Sequence, residues 1–162
     1  MKPDRARLFT EAFIAGVIGY AVVALFYVIL NLLAGRHPFY TAAVLGQGIV
    51  RAPPGSGEPV VAFGPIVAYN AVHLVVFLTI GLVAAWLVFA TEKIPQLWFV
   101  GLLIFVTALM ASIGVVLVYS APVAGALPWW SIVAANVIAA FLMGAYLVGA
   151  HPRLLSRIED IH

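Results

Sequence analysis

Four long apolar stretches, Ala12–Ala34, Ile66–Ala90, Leu97–Ala121 and Trp129–Ala150, contain no Lys, Arg, Asp or Glu. At 1.5 Å of rise per residue, each is long enough to cross a hydrocarbon layer of ~30 Å as an α-helix. The chain therefore reads as an all-α integral membrane protein, with four transmembrane helices in an up-down bundle forming one domain over residues 1–162. Composition agrees: 9% of residues are charged and the mean hydropathy is +1.14, where a soluble domain carries about 25% charged residues.

The ends of the stretches carry their own signals. Thr10 and Glu11 read as an N-cap and a first-turn acid for the first helix, and Gly35 as its C′ residue. The apolar run after the basic N-terminus is too long for a signal-peptide core, so it reads as a retained helix. Pro65 and Pro128 fall where first-turn prolines are tolerated, while Pro122 and Pro152 stop the third and fourth helices. The short link Thr91–Gln96 makes the second and third helices antiparallel neighbours.

Four spans put both termini and the Thr91–Gln96 link on one side. That side holds Lys2, Arg5, Arg7, Lys93, Arg153 and Arg157, while the other holds Arg36 and Arg51. The excess predicts a multi-pass protein with its N-terminus and C-terminus on the cytoplasmic side. Spread over tails and loops, these charges are topology signals and not a nucleic-acid-binding patch. The implied partners are the lipid bilayer and other membrane subunits or a second copy of the chain.

The outer loop, residues 35–64, begins too apolar for a solvated connection. Thr41 is placed to cap a short helix over Ala42–Gly48, which would lie in the interface or dip back into the bundle. It reads as a lid over the outer end of the bundle, with a gate or a docking surface as alternatives. The Pro- and Gly-rich run Ala52–Pro59 that follows is a turn region.

A polar side chain in lipid is costly, so the embedded polar residues are the candidate site. His73 is the one histidine inside a span; His37, His151 and His162 belong to ends or loops. Asn70, His73 and Phe77 share a helical face that continues through Gly81 and Ala84. Tyr27, Asn31, Asn70, Ser112 and Asn136 join His73 in a polar layer confined to the outer halves of the helices. Glu11 and Glu92 read as capping and solvated residues at the inner interface, and the inner halves read as plain. The spaced pairs Ala15/Gly19, Ala108/Ser112 and Ala140/Gly144 offer close helix contacts.

Several functions are excluded or disfavoured. With no cysteine there is no disulfide, thiolate-held cluster or covalent c-type haem. No Asp, Glu, Lys or Arg is embedded and no span is interrupted by proline, which disfavours ion-coupled transport, and no His-Glu-x-x-His motif supports a metal-dependent hydrolase. Ser112 has no evident base beyond the distant His73. No metal site and no catalytic residue is expected. The first reading is a small non-catalytic accessory or scaffold subunit of a larger membrane complex. The second is a haem- or chlorophyll-type pigment-binding bundle with His73 as ligand. Because a bis-His haem needs a second embedded histidine, its other ligand would be Met110, Met143, water or another subunit. A small channel or carrier for neutral solutes, or a quinone pocket around His73, completes the set.

Overall fold

The computed structural model describes residues 5–50, 61–94, 96–97, 99–101, 103–104, 106–108, 110 and 127–152. Among these residues the protein is helical, without a strand. Helix α1 covers Arg5–Leu33, α2 Tyr40–Ile49, α3 Phe63–Thr91, α4 Phe99–Ala108 and α5 Trp129–Ala150. Three of them, α1, α3 and α5, have the length and apolarity to cross a membrane. Their 29, 29 and 22 residues extend about 43, 43 and 33 Å at the α-helical rise. The expected span Leu97–Ala121 is represented by α4. From residue 111 on, Ser112 and Pro122 included, it lies outside the described residues, as does the turn region Ala52–Pro59.

Helix α1 starts earlier than its cap-like residues suggest. Thr10 is inside the helix, its hydroxyl donating to the Ala6 carbonyl at 2.9 Å, and Glu11 is buried. Arg5, Ala6, Arg7 and Leu8 are all good helix formers, and Arg7 pairs with Glu11 one turn on, Nε to Oε1 at 2.7 Å. Propensity and the i,i+4 pair thus extend the helix past the Thr10–Glu11 signal. At the other end, Gly35 takes φ +66°. The Arg36 N–H bonds the Asn31 carbonyl and the Gly35 N–H bonds that of Leu32, which closes the helix with a Schellman turn.

Helix α2 is longer than expected, and Thr41 does not cap it. Phe39 occupies the N-cap without a side-chain bond. The Thr41 hydroxyl is drawn instead to the buried Asn31 Oδ1, 3.1 Å away. Helix α5 begins and ends at the residues expected, stopped because Pro152 disfavours helical geometry at His151, which adopts φ −124°, ψ 66°.

Helix α1 is central. It packs along both α3 and α5, which scarcely touch each other, while α2 lies across the start of α3. Lipid tails provide no hydrophobic drive between helices, so close packing of small residues has to hold them. The core accordingly gathers Ala12, Ala15, Ala85, Ala135 and Ala139 around Phe77 and Met143. Where α1 crosses α3, a Cβ on Gly16 would lie 2.8 Å from Leu78 Cα and from the Phe77 carbonyl oxygen, and one on Gly81 would meet the Ala12 oxygen. Gly19 faces Phe77 and Met143, so the Ala15/Gly19 pair faces both neighbours of α1. At the Ala140/Gly144 pair, a Cβ on Gly144 meets nothing within 4 Å among the described residues. Ala108 is exposed. The outward faces carry Phe13, Leu25, Val75 and Phe141, each more than half exposed, as suits a lipid-facing surface.

Candidate functional site

Polar groups collect at both ends of the bundle. At the α2 end, Asn31 occupies the last turn of α1. Its Nδ2 donates to the Pro38 carbonyl at 3.0 Å while its Oδ1 accepts from Thr41, which ties the α1–α2 connection to the bundle. Arg36 lies over the Tyr40 ring, 4.9 Å from its centroid. Helix α2 is pressed so closely onto α3 that a Cβ on Gly46 would collide with the Pro65 carbonyl.

One layer further in stands His73. Tyr69 and Phe77 precede and follow it by one turn of α3. The Tyr69 ring stacks on the imidazole at 5.2 Å, Phe77 meets it edge-on at 4.8 Å, and Tyr20 approaches from α1 at 5.8 Å. The Tyr20 hydroxyl donates to Asn70 Oδ1 at 2.9 Å, and Asn70 Nδ2 donates to the Ile66 carbonyl at 2.8 Å. The Ser131 hydroxyl gives its proton to the Pro128 carbonyl at 2.7 Å, so Tyr27 is the donor in its long 3.5 Å contact with Ser131 Oγ. His73 Nε2 is buried without a hydrogen-bond partner.

Tyr27, Asn31, Thr41, Tyr69, Asn70 and His73 line a cavity of about 40 Å³. A water needs about 10–15 Å³ of such volume, whereas small-molecule sites run to roughly 300–1,000 Å³. Val23, Ala24, Val28 and Phe39 supply apolar wall beside these polar groups, and the described cavity has the size for a few waters.

The opposite end holds a cluster that the positions of its members in the sequence concealed. His151, at the C-cap of α5, is 1% exposed. Its Nε2 lies 2.6 Å from Glu11 Oε2 on α1, and its Nδ1 lies 2.7 Å from Glu92 Oε1, just past α3. Phe89 closes on the ring edge-to-face at 4.6 Å. Arg7 holds the other Glu11 oxygen and donates through Nη2 to the Ala150 carbonyl at 2.8 Å, satisfying one of the acceptors that a helix C-terminus leaves open. The expectation that Glu11 and Glu92 serve only as capping and solvated residues is corrected: Glu11 is buried and both are bonded to His151. The inner halves are not plain.

Local structure explains how the cluster forms. Pro152 ends α5 at Ala150, and the non-helical backbone of His151 turns its ring under the bundle. The early start of α1 carries Arg7 and Glu11 to the same level. Glu92 caps α3, its N–H bonded to the Val88 carbonyl. Among the described residues, no group of three or more His, Cys, Asp or Glu is arranged to hold a metal ion. The reason is visible here, since Glu11 and Glu92 meet opposite ring nitrogens and their oxygens do not converge.

Of the residues expected in the polar layer, Tyr27, Asn31, Asn70 and His73 surround one cavity. Asn136 stands apart, its Nδ2 returned to the Ile132 carbonyl of its own helix at 2.8 Å, and Ser112 lies outside the described residues. Tyr20 and Tyr69 belong to the layer and were not expected there. Tyr20 lies seven residues before Tyr27 on one face of α1, and Tyr69 is one turn before His73, which is the signal that could have found them. Comparison with protein-family models, with curated proteins and with solved structures finds no match to the chain.

Proposed function

We propose that the protein is a non-catalytic, four-span membrane subunit that serves as an accessory or scaffold element in a larger membrane assembly, with both termini cytoplasmic. The observation that carries this reading is the use made of the polar layer. Tyr20, Asn31, Thr41, Asn70 and Ser131 are spent on hydrogen bonds within the chain, and the cavity that Asn31, Thr41 and Asn70 help to line is water-sized. Such a layer fixes how helices meet, at roughly 0.6 kcal/mol per interhelical bond on average. Outward-facing rings such as Phe13 and Phe141 supply apolar surface for lipid or for a neighbouring subunit. The orientation rests on the six basic residues of one side against two on the other.

The test is native mass spectrometry of the protein extracted from its own membranes in mild detergent. A stoichiometric complex with other membrane chains is expected; a stable monomer overturns the proposal. A second reading is favoured by one observation, the buried and unbonded His73 Nε2, which is free to face a ligand. Under that reading the purified protein carries a haem or pigment absorption band that His73→Ala abolishes.

A further inference from the structure

We propose that Glu11, His151 and Glu92 form a proton-binding site that latches the ends of α1, α3 and α5 together. The argument begins with hydrogen-bond capacity. A neutral imidazole has one N–H donor and one bare acceptor nitrogen, while an ionised carboxylate only accepts. Here each ring nitrogen faces a carboxylate oxygen, at 2.6 and 2.7 Å, a separation at which a proton must lie between each pair. Two protons are therefore needed between the ring and its two carboxylates. A neutral ring supplies one, and the site binds the second.

Charge leads to the same result. Among the described residues, the charged groups about the ring are Glu11, with Arg7 bonded to it, from α1 and Glu92 from the end of α3; from α5, Tyr146 lies within electrostatic reach of Glu11 and Arg7. With the extra proton, the two positive charges of Arg7 and His151 cancel the two negative charges of Glu11 and Glu92. Without it, one net negative charge remains beside the carbonyl ends of α3 and α5, where a helix dipole already places partial negative charge. Both the Glu11 and His151 side chains are almost fully withdrawn from solvent, so that imbalance is poorly screened.

The three elements joined are distant in sequence, Glu11 and His151 by 140 residues and Glu92 and His151 by 59. Since α3 and α5 scarcely touch elsewhere, the Glu92–His151 bond is their principal polar connection among the described residues. Loss of the proton leaves one carboxylate facing a lone pair, and that connection or the one to α1 opens. The latch is therefore closed when protonated and released as pH rises.

The chain has no cysteine, so a spin-label pair at Lys93→Cys and Gly149→Cys reports the separation of the α3 and α5 ends in the full chain reconstituted into phosphatidylcholine liposomes. Both positions are exposed, and a Cβ at Gly149 meets nothing within 4 Å among the described residues. A single narrow distance is expected at mildly acidic pH, lost on alkalinisation. His151→Gln should lose it wherever both carboxylates are ionised, because the amide's two N–H donors leave from one nitrogen and its other end is an oxygen that cannot donate to the second carboxylate. Glu92→Gln is the decisive variant. Its amide N–H donates to a bare Nδ1 while Nε2–H serves Glu11, so the neutral ring is fully bonded and the narrow distance persists at alkaline pH. Retention of the wild-type pH response in Glu92→Gln overturns the proposal. So does magnetic resonance that finds one bare ring nitrogen on wild-type His151 and both the Glu11 and Glu92 carboxylates ionised while the distance is narrow.

Discussion

Glu11 Oε2 and His151 Nε2 stand 2.6 Å apart across 140 residues of chain, joining the start of α1 to the end of α5 where both are shielded from solvent. The contact converts two residues at helix ends into one buried polar unit. Buried pairs of this kind reveal themselves when one member is removed, because the other keeps its desolvation cost.

Glu11→Ala should therefore destabilise the protein by about 3–5 kcal/mol, the cost of leaving a buried partner uncompensated. Arg7→Ala removes a half-exposed partner of the same carboxylate and its bond to the Ala150 carbonyl, and should cost about 1–2 kcal/mol, less than Glu11→Ala. Thermal unfolding of the detergent-solubilised protein, followed by tryptophan fluorescence, orders the two. Equal losses would show that the Glu11–His151 contact carries no special weight.

The glycines divide as sharply. At Gly16 an added methyl lies 2.8 Å from the α3 backbone, and at Gly46 it collides with the Pro65 carbonyl. Backbone cannot swing aside as a side chain can, so Gly16→Ala and Gly46→Ala should each cost about 1–3 kcal/mol of overpacking. Gly48 and Gly144 meet nothing within 4 Å among the described residues. There alanine should be neutral, or stabilising by up to about 1 kcal/mol through helix propensity. Melting temperatures of the four variants test the division.

These contrasts show what was legible in the sequence. Apolar runs free of charge reveal spanning helices directly, because a membrane admits few other solutions. Gly35 and Pro152 could be placed because their backbone constraints are local. The start of α1 could not, since Thr10 and Glu11 have the chemistry of a cap, and only the position of His151 shows that Glu11 is needed inside the helix. Thr41 misled in the same way, its hydroxyl being claimed by Asn31 rather than by its own helix. An up-down topology does bring the start of α1 and the ends of α3 and α5 to one side. Which of their polar groups meet there depends on helix rotation, and α1, lined with small residues on more than one face, leaves that rotation undetermined by periodicity.

Asn31 should be the anchor of α2. It holds the Pro38 carbonyl and receives the Thr41 hydroxyl, so Asn31→Ala removes two bonds and leaves the buried Thr41 without this acceptor. About 1–3 kcal/mol is the cost of stranding a buried polar group, and it should fall on the docking of α2. Ala43 is fully buried on that helix. A cysteine at Ala43 should react slowly with a small maleimide in an otherwise native chain and at least tenfold faster beside Asn31→Ala, a factor that about 1.4 kcal/mol of easier opening supplies. Unchanged labelling would mean that the packing of Gly46 on Pro65 alone holds α2.

His73 is the residue where packing and ligand binding part company. Its ring is held by Tyr20, Tyr69 and Phe77, contacts that a phenyl ring of similar size can make. Its Nε2 is buried without a hydrogen-bond partner among the described residues, and an unbonded buried nitrogen is a cost of about 1–3 kcal/mol. If the ring serves packing, His73→Phe keeps the aromatic contacts and removes that cost, so the melting temperature should stay the same or rise. If Nε2 faces a bound group, the same change removes the attachment, and the protein loses the stabilisation that a ligand confers by mass action together with any absorption band. Through its polar network and small cavity, the α2 end favours the first outcome. A variant that melts lower and loses colour would instead make His73 a ligand.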